Sequence, residues 1–248
     1  MYQYLIVFII CILLCFLFYY FQYYRISDMV SIGIPCIPKH ISHLDELIQN
    51  INKQKLLPTE VIISLSECSQ QEGMKLEYIL KKKCYVNVKV ITDVRKKYAG
   101  ANRNTCAEYC TTPYISFIDA DDLMSPTRIL IIDKLAKKYD FDVLFHNYTM
   151  DNHYSSEFSK INDVNYNYQT YLSYNTTDKS KSVMLENTHH GHLTIKTKQL
   201  LRYPIDVGGY GEDTRYLHTL FNNKLNVISL PDYKGTYYRI KNSSWNYE

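Results

Sequence analysis

The sequence lacks the short motifs that mark several common protein classes. None of its seven cysteines forms a Cys-x-x-Cys pair, so a structural zinc site is not indicated and free thiols are expected. No Gly-x-Gly-x-x-Gly follows a predicted strand, which disfavours a dinucleotide-dependent dehydrogenase. There is no long basic block and the net charge is only +3, so nucleic-acid binding is not indicated. The hydrophobic content of 46% is enough for a globular core.

Charge is absent from the start of the chain. No charged side chain precedes Arg25, and residues 5–21 are almost continuously apolar or aromatic. A run of about 20 such residues is long enough to cross a bilayer as a helix. The tyrosines that end the run resemble an interfacial belt, and a basic n-region and small-residue cleavage site typical of a signal peptide are missing. The sequence therefore predicts a single-pass membrane anchor over residues 1–26 and a separate domain over 27–248, without assigning the side of the membrane.

Strand-like and helix-like patterns alternate in the remaining chain. Five apolar runs of strand length begin at Val30, Glu60, Val86, Tyr114 and Val143. Stretches with helical spacing separate them, and in the first of these Ser42 and Asp45 resemble a capping box. Alternating strands and helices are typical of βαβ units. The predicted fold is α/β and Rossmann-like, with a mostly parallel central sheet covered by helices on both faces.

An unusual cluster of acids follows the fourth predicted strand. Residues 114–118 are mostly apolar, and Asp119, Asp121 and Asp122 come directly after them. Open α/β sheets bind ligands at the carboxyl ends of their strands. Like charges this close raise one another's pKa unless a cation neutralises them, and Mg²⁺ or Mn²⁺ bound to a substrate phosphate suits such oxygen ligands. Helix capping is the alternative role, although a single acid would be enough for it.

Five segments, in order along the chain, resemble motifs of one enzyme family. They are Val-Ser-Ile-Gly-Ile-Pro at 30–35, Asn-Arg-Asn at 102–104, Phe-Ile-Asp-Ala-Asp-Asp at 117–122, Gly-Glu-Asp at 211–213 and Tyr-Tyr-Arg-Ile at 237–240. Together they resemble family 2 glycosyltransferases with the GT-A fold, over roughly residues 30–245. The resemblance implies a nucleotide-sugar donor, in the first instance a UDP-sugar, a divalent Mn²⁺ or Mg²⁺ ion, and inverting transfer to a glycan, protein or lipid acceptor. It also implies an acceptor-side region over residues 151–190.

The resemblance assigns roles to individual residues. The implied metal ligands are Asp121 in the first place, then Asp119 and Asp122, with His192 from the 189–192 histidine cluster as a further candidate. The implied general base is Asp213, with Glu212 as the second candidate. The implied donor-binding residues are Asp119, Arg103, Pro35, Glu67, Arg239 and Lys241.

Two positions depart from the family pattern. Members commonly carry an Asp pair after the second strand, where this chain has Ser66 and Glu67. The closing segment often has a His two residues after its Arg, where this chain has Lys241. These departures keep two alternatives open, a nucleotidyltransferase and a degenerate glycan-binding or structural protein. The nucleotidyltransferase usually has a Gly-rich basic loop after its first strand, which this chain lacks.

Overall fold

The central sheet joins nearly all regular elements of the protein. A computed structural model describes residues 8–13, 25–150, 157–159, 161–163, 190–209 and 211–239. The strands within these ranges are β1 (Val30–Cys36), β2 (Glu60–Ser66), β3 (Asn87–Asp93), β4 (Tyr114–Phe117), β5 (Leu123–Met124), β6 (Val143–Thr149), β7 (Asn162–Asp163), β8 (Thr194–Lys196) and β9 (Val227–Tyr237). The helices that follow β1 are α1 (Leu44–Asn52), α2 (Gln70–Lys81), α3 (Ala99–Glu108), α4 (Arg128–Lys138), α5 (Thr197–Arg202) and α6 (Glu212–Asn222).

The sheet is mixed but mostly parallel. Its order is β3-β2-β1-β4-β8-β6-β9-β5, and β7 pairs with β9. The pairs among β1, β2, β3 and β4 are parallel, as is β6 with β9, whereas β8 lies antiparallel between β4 and β6. The prediction of a mostly parallel α/β sheet is confirmed, but β8 was not predicted. Because β8 runs against its neighbours, it starts at the edge where the parallel strands end.

Helices cover both faces of the sheet, as the alternating pattern predicted. One buried apolar cluster contains residues of α1, α2 and α4, and a second contains residues of α3, α5 and α6. Every residue of β1 and β2 is buried, which is expected of parallel strands covered on both sides. A Cβ on Gly33 of β1 would lie 2.6 Å from Cε1 of Phe117. The missing side chain therefore lets Phe117 pack directly on β1, where burial of such a ring contributes about 1.5–3 kcal/mol.

The start of the first helix differs from the prediction. Residues Pro38–His43 form a 3₁₀ turn, α1 begins at Leu44, and no side chain caps it. Ser42 lies inside that turn and is not an N-cap, so the predicted capping box is wrong. The structure places a capping box at α2 instead, where the Ser69 hydroxyl accepts from the Glu72 amide and the Glu72 carboxylate accepts from the Ser69 amide.

The predicted anchor falls mostly outside the described residues. Residues 8–13 are helical. Within the described ranges, no helix has both the length and the apolar character needed to cross a membrane. The remaining parts of the predicted span, residues 1–7 and 14–24, lie outside those ranges, so the anchor stays a prediction.

Candidate active site

The candidate site lies at the edge of the sheet where β1 and β4 end. After β4 the chain passes through Ile118 and turns at residues 119–122, here called the acidic turn, before it enters β5. The Ile118 amide donates to the Gly33 carbonyl over 3.1 Å, and the Asp122 amide donates to the Asp119 carbonyl over 3.1 Å. These bonds hold the acidic turn against the end of β1, the position at which open α/β sheets bind ligands.

Two carboxylates of the acidic turn meet an imidazole from a distant part of the chain. His192 Nε2 lies 3.3 Å from Asp119 Oδ2 and 3.2 Å from Asp122 Oδ2. His192 and Asp122 are each only 1% exposed. Burial by itself lowers the pKa of His192, but its hydrogen bonds to the two carboxylates, together with their charges, outweigh burial and raise that pKa. The three side chains therefore form one compact, electrostatically coupled group.

This group fits a divalent cation. One oxygen of each carboxylate and an imidazole nitrogen all lie within 4.8 Å of one another. Asp122 Oδ2 is buried 3.2 Å from His192 Nε2, and a buried carboxylate oxygen is costly unless a cation or a hydrogen-bond donor satisfies it. The Asp119 backbone amide also donates to His192 Nε2 over 3.3 Å, so this nitrogen faces the acidic turn. Carboxylate oxygens with one imidazole suit Mn²⁺ or Mg²⁺, and these three residues would hold the ion.

Asp121 lies apart from this group. Its side chain is nearly buried, and its Oδ2 lies 4.0 Å from Nε2 of His40 in the turn after β1. Burial, followed by the negative charges of Asp119 and Asp122, raises the pKa of Asp121 to about 7. The residue that the sequence placed first as a metal ligand thus lies outside the group of three, with a carboxylate oxygen near His40. His40 was missed because nothing in the sequence pattern separates it from a surface histidine.

Arg103 connects the acidic turn to α6. It is buried on α3, and its Nη2 lies 2.8 Å from Asp119 Oδ1. Its Nη1 lies 3.5 Å from Glu212 Oε1. The sequence predicted that Arg103 would meet the nucleotide or a phosphate. In the structure the guanidinium already contacts two carboxylates, and it fixes the orientation of Asp119.

A close approach between α3 and the segment before α6 makes the Arg103 contact possible. A Cβ on Gly100 would lie 2.6 Å from the Asp206 carbonyl oxygen, 2.8 Å from Ile205 Cγ2 and 2.9 Å from Glu212 Cγ. No side chain fits there without displacing backbone. Gly100 therefore sets the distance at which Glu212 can reach Arg103.

The two predicted catalytic acids occupy the first turn of α6. Gly211 before them has φ of +78°, a left-handed conformation that favours glycine. Burial, opposed by nearby Arg103 and supported by the charge of Asp213, raises the pKa of Glu212 above its ordinary value. Of the two acids, Glu212 makes the contact with Arg103, and Asp213 follows it at the helix start.

Arg239 ties the end of β9 to the acidic turn. Its backbone amide donates to Asp122 Oδ1 over 2.8 Å, and its Nε donates to the Asp121 carbonyl. Its Nη1 lies 2.6 Å from Glu46 Oε2 of α1, and its buried Nη2 makes no hydrogen bond. Arg239 thus lies beside the predicted metal residues. Lys241 and His189 lie outside the described residues.

The remaining predicted donor-binding residues lie at the ends of β1 and β2. Pro35 is buried in β1 and pairs in register with Ser64 of β2. Glu67 is exposed and has φ of +58°, an unusual conformation for a residue with a side chain. Asn102 of α3 accepts from Ser64 Oγ over 2.8 Å and donates to Ser66 Oγ over 3.1 Å. Ser66, one of the two residues that stand in place of the family's Asp pair, is therefore bound to α3.

Comparisons with known proteins agree with this geometry. The sequence family described as glycosyl transferase family 2 matches residues 31–197. A processive diacylglycerol beta-glycosyltransferase of Mycoplasma genitalium is 27% identical over 117 residues, which cover 46% of this chain and 34% of that protein. The chain thus spans about a third of that relative's length.

Solved structures of low sequence identity share the fold. TarS 1–349 of S. aureus in complex with UDP-GlcNAc superposes with a TM-score of 0.61 at 17% identity, over 85% of this chain and 58% of that one. Glucosyl-3-phosphoglycerate synthase of Mycobacterium tuberculosis, in complex with Mn²⁺, UDP and phosphoglyceric acid, superposes with a TM-score of 0.58 at 14% identity, over 86% and 71%. The nucleotidyltransferase and the non-catalytic alternative are not supported by these matches. Because the family match covers residues 31–197, and because the sequence carries motifs that resemble those of the family, the chain belongs to glycosyl transferase family 2 and is a glycosyltransferase.

Proposed function

We propose that this protein transfers a sugar from a nucleoside diphosphate donor, a UDP-sugar first of all, to an acceptor hydroxyl in a reaction that needs a divalent cation. The observation that carries the proposal is the compact group of half-buried Asp119 with buried Asp122 and His192 at the ligand-binding edge of the sheet. The UDP-GlcNAc complex of TarS and the Mn²⁺ and UDP complex of glucosyl-3-phosphoglycerate synthase support it, because both proteins have this fold.

The acidic turn and His192 form the cation site in this proposal. An ion held there would stabilise the negative charge that develops on the diphosphate leaving group. Asp121 completes the cluster of negative charge, and burial, followed by the charges of Asp119 and Asp122, raises its pKa. Arg103 keeps Asp119 in place through their ion pair.

The donor diphosphate lies between the acidic turn and the end of β9 in this proposal. Arg239 places a guanidinium there, and its Nη2 is a buried donor without a hydrogen bond in the structure. A phosphate oxygen is the acceptor best suited to such a group. Pro35 and Glu67 line the nucleotide side, and Lys241, two residues beyond Arg239, supplies a second positive charge.

Asp213 is the proposed base for a single displacement with inversion. Transfer requires that a group accept the proton of the attacking hydroxyl. Glu212 is engaged with Arg103, so we assign Glu212 to positioning and Asp213 to proton transfer.

Substitution of each carboxylate separates the roles. D213N should abolish nearly all transfer, by about 10²-fold to 10⁴-fold, and leave donor affinity unchanged. E212Q should weaken Mn²⁺-dependent donor binding, because the Arg103 and Asp119 pair loses its second partner. The reverse pattern would exchange the two assignments.

The acceptor side is the region of residues 151–190. Its two flanks, the end of β6 and the His190–His192 turn before β8, lie at the edge that carries the acidic turn. Loops at such an edge determine specificity in many enzymes. The acceptor is a hydroxyl-bearing glycan, protein or lipid.

Donor hydrolysis tests the proposal without knowledge of the acceptor. The purified chain is incubated with a panel of UDP-sugars, with Mn²⁺, Mg²⁺ or EDTA, and release of UDP is measured. We expect metal-dependent release from at least one donor, and loss of release in D122N. D45N is the matched control, because the Asp45 carboxylate pairs with Lys83 on an exposed surface. Release that persists in EDTA, or that D45N and D122N reduce equally, would contradict the proposed cation site.

A further inference from the structure

An arginine that the sequence did not single out lies beneath the acidic turn. Arg128, in the first turn of α4, is fully buried. Its Nη2 donates to the Phe117 carbonyl over 2.6 Å, to Ser116 Oγ over 3.0 Å and to the His192 carbonyl over 3.1 Å. Its Nη1 donates to Thr236 Oγ1 over 3.0 Å. One guanidinium therefore bonds to β4, to β9 and to the segment that carries His192.

These contacts are unusual for a buried cation. All four acceptors are neutral, and no carboxylate forms an ion pair with Arg128 among the described residues. Burial lowers the pKa of Arg128 to about 10, which still leaves the group charged at neutral pH. A buried cation without a paired anion costs several kcal/mol relative to an apolar side chain of similar size. Its presence calls for a compensating role.

The segments that Arg128 joins are those that supply the candidate metal ligands. The Phe117 carbonyl lies two residues before Asp119, and the His192 carbonyl belongs to a candidate ligand itself. Asp119 and Asp122 are close enough for their charges to favour the charged form of Arg128. The guanidinium thus acts on the site in two ways, through backbone geometry and through its charge.

We infer that Arg128 is a positioning residue of the cation site. It sets the distance between His192 and the acidic turn, and its positive charge offsets the repulsion between the carboxylates of Asp119 and Asp122. The inference rests on the proposed cation-dependent function. Arg128 itself contacts neither the ion nor the substrate.

Direct measurement of Mn²⁺ binding tests the inference without any turnover. The free Mn²⁺ signal in electron paramagnetic resonance is titrated with wild-type protein, R128M and R128K, in the absence of nucleotide. R128M keeps an unbranched side chain of similar length without the charge, and R128K keeps the charge without the planar fork. We expect R128M to lose at least about tenfold in affinity, as is typical when a group that orients metal ligands is removed, and R128K to lose less. R202M, on the exposed end of α5, is the control that should bind as wild type does.

The outcomes separate the inference from the proposed function. Wild-type protein that binds no Mn²⁺ would contradict the cation-dependent function itself. Wild-type binding together with an R128M affinity within twofold of it would overturn only the role of Arg128. Thermal unfolding of each variant accompanies the titration, because a purely structural role would lower the melting temperature without changing the affinity of the folded protein. If R128M does not fold, R128K decides: a lowered affinity at an unchanged melting temperature supports the inference, and wild-type affinity overturns it.

Discussion

At the scale of one residue, Asp121 places a negative charge where burial and two neighbouring carboxylates disfavour it. Its carboxyl is nearly buried beside two other acids, and its pKa is raised to about 7. Asp121→Asn preserves the shape and removes the charge. We expect the melting temperature of the unliganded variant at pH 8 to equal or exceed that of wild type, while Mn²⁺-dependent nucleotide binding falls sharply. A helix-capping role would produce the opposite, a loss of about 1 kcal/mol in stability with normal nucleotide binding.

Glu212 provides a prediction for the dependence of stability on pH. Burial raises the pKa of this carboxyl above its unfolded value, so between the two pKa values the native state binds more protons than the unfolded state. Its stabilising contribution is complete below the ordinary pKa of a glutamic acid and is lost as the pH rises through the raised pKa. E212Q removes this titration. The difference in unfolding free energy between wild type and E212Q, measured by denaturation in urea from pH 4 to pH 8, should therefore shift against wild type as pH rises. A difference that is constant across this range would contradict the raised pKa.

At the scale of elements, Gly100 tests the packing of α3 against the segment that leads to α6. An alanine there would collide with the Asp206 carbonyl and with Glu212 Cγ. We expect G100A to cost about 1–3 kcal/mol in stability and also to reduce donor turnover in the protein that remains folded. G73A is the matched control, because its Cβ would collide with the Thr92 side chain of β3 and not with Glu212 or the segment before α6. G73A should lose stability and keep its turnover per folded molecule. Equal losses of turnover in both variants would refute the specific role of Gly100.

The elements show which parts of this structure a sequence pattern can predict. The strands β1, β2, β3, β4 and β6 were predictable because apolar runs with flanking turns determine them locally. The prediction of a capping box at Ser42 was wrong because Pro38 starts a 3₁₀ turn that includes Ser42. Ser69, in contrast, directly precedes an α-helix and caps it. Strand β8 is three residues long and is defined by pairing with β4 and β6, which no local pattern reveals.

The candidate site was predictable by residue type more than by arrangement. The acidic turn and His192 were predicted, and the structure brings Asp119, Asp122 and His192 together. The separation of Asp121 from this group depends on side-chain directions within one turn. Arg128 and His40 could not be found, because an arginine in a helix and a histidine in a turn are ordinary surface residues until tertiary packing buries them.

At the scale of the whole molecule, we propose that residues 1–26 anchor the domain to a membrane. Arg25, at the end of the predicted span, already bonds to the domain, because its carbonyl accepts from the Leu57 amide, and the Ser27 hydroxyl donates to Asp133. A chain that starts at Arg25 should therefore be soluble, keep the melting temperature of the domain and bind donor as the full chain does. The full chain should remain in the membrane pellet after carbonate washing and dissolve in detergent. Release by carbonate alone would refute the anchor.

The antiparallel direction of β8 has a consequence for how such a protein can change. Since β6 ends and β8 begins at the same edge, the forty residues between Thr149 and His190 leave that edge and return to it. Asn162 and Asp163 within this segment form β7 and pair with β9, so length and composition can vary on either side of β7 without moving a strand of the sheet. In evolutionary terms, this segment can be exchanged while the rest of the sheet and its helices stay the same. If residues 151–190 form the acceptor side as proposed, replacement of one continuous stretch of gene would change the acceptor and leave the proposed cation site unchanged.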